Sequence, residues 1–328
     1  MPDSTDGFST CVVIGAGISG LATAKQFLSR GIQTTIVEKS DHVAGLWQFT
    51  EDSYGVMSFT HINVSKHNYS FSDFPFPDDV QDYPHWSQMA QYVNDYVDHF
   101  KIRPHIRFRQ TVQRVTKAAP GSDGANWALH IEEASGHKYI LRCRYLAVAS
   151  GHHAEPKRVT FPGQDTFPGE IVHSVSFKDA QRNKLEGKRV VVVGIGNSAV
   201  DVAVNCVDRA KGPVTISTRS GTWVLPNYIF GSPTDHYACR LFFMLPVSVQ
   251  KLVFELIVTL LDGHPSKWGY NPKMRALSSQ PTVSGTLTFH VQRGNVKVRP
   301  NIASFDGSTV HFEDGSSTTC DAVIMCTC

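Results

Sequence analysis

The sequence predicts an α/β fold of two parallel-sheet domains on two observations. A strand, glycine turn, helix, strand pattern occurs twice, and the stretch between the copies alternates apolar and polar residues as an antiparallel meander does. The first copy has an apolar strand over residues 11–14, a glycine turn, an apolar-periodic helix over 18–30 closed by Gly31, and a strand over 34–38. The second has a strand over 189–193, a glycine turn, a helix over 198–209 closed by Gly212, and a strand over 214–218. Between them, residues 106–117, 127–133 and 139–143 carry the alternation, and the Pro- and Gly-rich run 151–169 reads as a crossing between domains. The expected division is 1–165 for the first domain with its meander at about 106–143 and 166–290 for the second.

Length and composition agree. At a prior of ~150 residues per domain, 328 residues suggest two domains. Lys+Arg 31 against Asp+Glu 29 leaves a net charge of +2 without a long like-charge run, which excludes a nucleic-acid footprint. The seven cysteines form no CxxC pair, so they read as reduced thiols in a cytosolic setting and supply no metal site. No secretory leader is visible, and no apolar run reaches the ~18 residues of a spanning helix.

The chemistry is in the two glycine turns. Gly15, Gly17 and Gly20, with Ala16, Ile18 and Ser19 between them, form GxGxxG between a strand and a helix. The first glycine makes the tight turn, the second lets backbone approach a pyrophosphate, and the third packs helix on strand. The helix N-terminus then offers free N–H groups to phosphate. Glu38, 18 residues past Gly20, stands where a carboxylate accepts hydrogen bonds from ribose hydroxyls, a feature that FAD and NAD sites share. Gly194, Gly196 and Ala199, with Asn197 and Ser198 between them, repeat the fingerprint with alanine at its third position. At the end of the following strand stands Arg219, 25 residues past Gly194, and no acid. A guanidinium welcomes a 2′-phosphate that a carboxylate would repel, so the second domain is expected to take NADPH. Two dissimilar dinucleotide sites in one chain point to hydride passing from nicotinamide to flavin. The expected fold is thus two Rossmann-like dinucleotide-binding domains, one for FAD and one for NADPH.

The run from Phe167 through Gly169 and His173 to Phe177 matches FxGxxxHxxx(Y/F), the signature of the flavin-containing monooxygenases, which this chain resembles over nearly its whole length. GLW at 45–47, NVSK at 63–66 followed by FSDFPFP at 71–77, GNSA at 196–199 and FEDGS at 312–316 extend the likeness. The resemblance implies that Gly15 to Gly20, Glu38, Leu46, Trp47 and Ile62 contact FAD. It places Asn197, Ser198, Asp201 and Arg219 at or near NADP. Asn63 resembles the asparagine beside flavin and nicotinamide whose amide holds the oxygenated flavin, which makes it the catalytic candidate. The implied reaction adds one atom of O2 to nitrogen or sulfur of a small lipophilic amine or sulfide through a C4a-hydroperoxyflavin, which survives only where water is kept out. For His173 a bridging role through both ring nitrogens is weighed against proton transfer, and Phe71, Phe74 and Phe76 are expected as core and cleft wall.

The likeness departs at Ala44, where the family has the first glycine of GGxW, at Ile62, where threonine is common, and at 326–328. There the run 321–326 resembles the strand leading into a second Ala-Thr-Gly element, with Cys328 in place of its glycine, and the resemblance implies an NADPH domain inserted in the FAD domain, with 291–328 as an incomplete return to it. Two alternatives to the monooxygenase follow. One is a truncated, non-catalytic dinucleotide-binding isoform. The other, a Baeyer–Villiger oxygenase, is disfavoured by Phe177-Lys178 where its signature has Trp followed by Pro or Asp. Val249, Leu252, Val253, Leu256, Ile257 and Leu260 recur at helical spacing. That helix either packs on the core or leans on the endoplasmic reticulum membrane from its cytoplasmic side, as an insertion in related animal enzymes does. A homo-oligomer is a further open partner expectation.

Overall fold

The computed structural model describes residues 5–51, 54–119, 124–151 and 156–327, so the expectation at Cys328 lies outside the described residues. Its first lobe is built on β1 (Thr5–Ile14), α1 (Ile18–Leu28) and β2 (Thr34–Val37), followed by α2 (Lys66–Tyr69) and α3 (Trp86–His99). Strands β3 (Ile106–Arg107), β4 (Gln110–Lys117), β5 (Trp127–Glu133) and β6 (Lys138–Val148) complete one six-stranded sheet of order β3-β2-β1-β6-β5-β4. Strands β3, β2, β1 and β6 run parallel, whereas β6, β5 and β4 pair antiparallel. Strand β1 begins well before residue 11 because β6 is long enough to pair back to Phe8, opposite Arg142. Arg109, in the left-handed region at φ 56°, separates β3 from β4 within what reads as one alternating run.

The second lobe follows the crossing. It comprises β7 (Glu170–His173), β8 (Val190–Val193), α4 (Asn197–Cys206) and β9 (Val214–Ser217). An excursion then carries β10 (Val224–Leu225), β11 (Tyr228–Ile229), β12 (Ser232–Pro233), α5 (Arg240–Phe243), α6 (Val247–Asp262) and β13 (Thr282–Val283). The chain continues through α7 (Leu287–Gln292), β14 (Val296–Arg299), the three-stranded meander β15 (Ile302–Asp306), β16 (Thr309–Phe312) and β17 (Ser317–Thr319), and β18 (Ala322–Met325). The second sheet is all parallel, ordered β14-β9-β8-β18-β7. A sheet covered on both faces calls for continuous apolar strands rather than alternation, and Val190 to Val193 are buried one after another.

This topology corrects the expectation that 291–328 returns to the first domain. Strand β14 pairs with β9, and β18 lies between β7 and β8, in register Ala322–Val190 and Met325–Val193. The physical reason is burial on both faces: Ala322, Val323, Ile324 and Met325 are at most 5% exposed, a pattern that only an interior position of a covered sheet satisfies.

The lobes touch through more than the crossing. Met57 and Phe59, from the first lobe, pack into the core formed by Phe177, Val192, Ala199 and Leu287. Ser58 donates its N–H to the Lys178 carbonyl (3.0 Å) and its hydroxyl to Asp179 (2.8 Å). Phe71, Phe74 and Phe76 stack among Tyr92, Tyr96 and Phe100 in the core of the first lobe, which places these rings in the core rather than along the cleft.

Candidate dinucleotide sites and the cleft between them

Each glycine turn is closed from below by a neighbouring strand end. Gly15 takes φ 100° and donates its N–H to the Val37 carbonyl (2.8 Å), and a Cβ there would lie 2.5 Å from the Ala149 oxygen. Gly194 takes φ 120° and donates to the Ser217 carbonyl (2.9 Å), and its Cβ would lie 2.5 Å from the Cys326 oxygen. Both positions demand glycine for conformation and for space. A Cβ on Gly20 would strike the Gly15 oxygen at 2.0 Å, which is how α1 packs so close to β1, whereas Ala199 fills the equivalent place in the second lobe and is buried.

Gly17 and Gly196 differ from these. A Cβ on Gly17 would meet only the Gly45 Cα at 3.8 Å, and one on Gly196 would meet nothing within 4 Å. Neither packing nor a positive φ demands glycine there, and the bare backbone is open to approach from outside the chain. That fits a pyrophosphate against the first helix N-terminus in each lobe. Ile18 packs against the first-lobe core, and Ser19 is exposed.

Glu38 is buried at the end of β2. Its Oε2 accepts the Ala16 N–H (2.7 Å), and its Oε1 accepts the Ser40 N–H (2.9 Å) and hydroxyl (2.8 Å). With two acceptor sites on each oxygen, Oε2 keeps one for a ribose hydroxyl, while the Ala16 N–H is already spent. Arg219 stands exposed just beyond β9, and among the described residues its guanidinium has no hydrogen bond or ion pair.

A cleft of about 420 Å³ lies between the lobes. It gathers Leu46, Trp47, Ile62 and Asn63 from the first lobe with Asn197, Ser198 and Asp201 from the second. The fingerprint glycines, Glu38, Ala199 and Arg219 lie outside its lining. Leu46 and Trp47 belong to a tight turn at Gly45–Trp47, entered through Ala44 at φ 78°, with the Ala44 N–H on the Ala16 carbonyl (3.1 Å). Asn197 has its Oδ1 committed to the Val283 N–H (2.8 Å), leaving its Nδ2 for a ligand. Asp201, one turn into α4, has no hydrogen-bond partner among the described residues, and burial pushes its carboxyl up to about 7.

His173 uses both ring nitrogens. Nδ1 accepts the Val175 N–H (3.3 Å), which leaves Nε2 to donate to the Thr327 carbonyl (3.1 Å). The imidazole therefore ties β7 to the chain beyond β18, and the bridging role weighed from sequence is the one found. Sequence reasoning missed the cleft residues Tyr54, Met57, Asn227, Ser284 and Thr286. They arrive on irregular segments, where no periodicity marks which side chain faces inward.

The α6 helix shows a third feature. Val258 and Gln250 are buried, whereas Leu252, Leu256 and Leu260 are 59%, 56% and 75% exposed. Leu241, Phe243 and Met244 on and after α5 extend that apolar face. The apolar face expected from sequence is therefore not packed on the core. Among the described residues, no helix is long and apolar enough to cross a membrane.

A family model described as FMO-like, flavin-binding monooxygenase-like, matches residues 9–328. The chain is 34% identical to "Flavin-containing monooxygenase 5" of Oryctolagus cuniculus and to that of Homo sapiens, in each case over 96% of this chain and 61% of the relative. It is 33% identical to "Dimethylaniline monooxygenase [N-oxide-forming] 2" of Rattus norvegicus over 93% of this chain and 58% of that one. The chain thus spans about three fifths of the length of these curated relatives. Among solved structures it is similar to a flavin-containing monooxygenase from Stenotrophomonas maltophilia (TM-score 0.69, 21% identity, 98% of this chain and 79% of that one). A steroid monooxygenase bound to NADP gives TM-score 0.69 at 20% identity, covering 98% and 71% of the two chains, a likeness of fold.

Proposed function

The chain belongs to the FMO-like family of flavin-binding monooxygenases, and from that premise we propose an FAD-dependent, NADPH-using monooxygenase that oxygenates nitrogen or sulfur of a small lipophilic nucleophile. FAD and NADP(H) are the cofactors of this class. The observation that carries the proposal is the pair of uncrowded glycines, Gly17 and Gly196, each at a helix N-terminus on opposite sides of one cleft. Bound flavin would supply acceptance of two electrons from NADPH and activation of O2.

The chain's own residues do the rest. Gly15 to Gly20 would hold the FAD pyrophosphate on the N-terminus of α1, with Glu38 on the ribose and Leu46, Trp47 and Ile62 walling the ring. Gly194, Gly196, Asn197, Ser198 and Ala199 would set NADP on α4, with Arg219 on the 2′-phosphate. Asn63 lines the cleft and offers both an amide donor and a carbonyl acceptor there, which suits it to steady a polar oxygen species while the apolar walls limit water. Asp201 is proposed as a cleft group that changes charge near neutrality, at the nicotinamide side. The exposed face of α5 and α6 supports peripheral contact with a membrane on its cytoplasmic side.

The visible spectrum of the purified chain tests the proposal. A yellow protein that NADPH bleaches under nitrogen, and that converts dimethylaniline or a methyl sulfide to its oxide in air, is the expected result. NADPH should beat NADH by at least about ten-fold in kcat/KM, and Arg219→Glu should erase that margin. Colourless protein that still binds NADP⁺ would overturn it and favour a non-catalytic dinucleotide-binding role.

A further inference from the structure

The loop that carries Asn63 is held from the other lobe. Residues 62–66 pair with 82–84 of the first lobe, with the Ile62 N–H on the Pro84 carbonyl (3.0 Å) and the Lys66 N–H on the Asp82 carbonyl (2.7 Å). Across the cleft, the excursion of the second lobe reaches over and grips both strands of this pairing. Asp235 Oδ2 accepts the Ser65 N–H (3.1 Å), the Ser65 hydroxyl (2.7 Å) and the Asn68 amide (2.7 Å), and the Asp235 carbonyl accepts the Asn68 amide at 3.1 Å. Tyr83 donates its hydroxyl to the Asn227 carbonyl, and Tyr228 donates to Asp82 (3.0 Å). Asn227 itself lines the cleft.

Two details show that this contact is more than surface adhesion. Ser65 is fully buried and immediately precedes α2, only two residues after Asn63, so fixing its N–H and hydroxyl fixes the backbone that aims Asn63. Asp235 Oδ1 is buried without a partner among the described residues, a cost that folding accepts for a carboxylate whose other oxygen takes three donors. Burial, and after it the charge of Asp235, push the Tyr83 phenol up to about 12, so it remains a donor throughout the neutral range.

We propose that Asp235 is a positioning residue for Asn63: from the second lobe it clamps the start of α2, so that the Asn63 amide is aligned in the cleft only while the two lobes are docked. This rests on the role proposed for Asn63 above. It means that alignment of a first-lobe side chain is coupled to the placement of the lobe proposed to carry the nicotinamide nucleotide. The oxygen chemistry would then be sheltered only when that lobe is in place.

Asp235→Ala and Asp235→Asn in the full chain, each loaded with FAD, test the proposal through amide hydrogen exchange and reaction coupling. In Asp235→Ala the amides of 65–69 should exchange about ten-fold faster, with α1 and α4 unchanged. The share of NADPH electrons recovered as hydrogen peroxide rather than oxygenated product should rise several-fold while the KM for NADPH stays put. Asp235→Asn, which keeps an acceptor for Ser65, should recover part of both effects. Unchanged exchange at 65–69, or unchanged coupling despite faster exchange, overturns the role of Asp235. Parent protein that takes up no flavin instead overturns the functional reading on which the role rests.

Discussion

Two glycines of one motif separate folding from binding. A methyl group on Gly20 would meet the Gly15 oxygen at 2.0 Å, so Gly20→Ala should cost at least about 2 kcal/mol of stability, read as a lowered denaturant midpoint without any cofactor. Gly17 has an ordinary extended backbone (φ −77°, ψ 177°) and open space around a new Cβ. Gly17→Ala should therefore leave the midpoint of the cofactor-free chain within about 0.5 kcal/mol and weaken FAD binding by ten-fold or more, measured by flavin titration. Equal destabilisation by both substitutions would refute the separation. Asp201 gives a pH test. Its carboxyl sits at about 7 in the fold, above the value near ~3.9 of an unfolded chain, so the native state holds the extra proton and stability falls as pH rises between those values. Asp201→Asn should gain on the parent protein across that window and keep a constant advantage above it; melting curves at pH 4, 6 and 8 would show the trend or its absence.

At the level of elements, sequence periodicity told the regular pieces but not what the irregular ones bring together. Both strand–turn–helix–strand units lie within a few residues of their expected bounds, because glycine placement and apolar spacing are local signals. Counting from a glycine places Glu38 and Arg219 just past their strand ends, because each strand fixes the distance to its own end. Asn227 and Asp235 escaped, since a Pro- and Gly-punctuated excursion has no period, and their partners lie 144 and 170 residues away. The helix α6 shows the same limit from the other side: its spacing is legible, yet whether its leucines meet protein or solvent depends on distant chain. With Leu252, Leu256 and Leu260 exposed, the triple replacement of these residues by Gln should leave the melting temperature nearly unchanged and abolish flotation with anionic phospholipid vesicles. Flotation that persists would place any lipid contact elsewhere.

Over the whole molecule, the two lobes are joined by two separate sets of hydrogen bonds. Ser58 with Lys178 and Asp179 joins them near the crossing, and Ser65 with Asp235 joins them beyond the cleft. The sequence disclosed two lobes and their order but assigned the final segment to the wrong one, because a four-residue apolar strand carries no mark of its sheet. Strand β18 does belong to the second sheet, and Ile324 is 1% exposed within it. Ile324→Ala should therefore cost about 2–4 kcal/mol, and the loss should appear as earlier proteolysis of 170–325 with the first sheet still protected.

Because β18 sits between β7 and β8, an inner plank of the second sheet must be slotted between strands made some 130 to 150 residues earlier. The first sheet, whose strands end at Val148, has no such wait. During synthesis the first sheet can settle while the second stays open and exposed to chaperones and proteases, until β18 has been made.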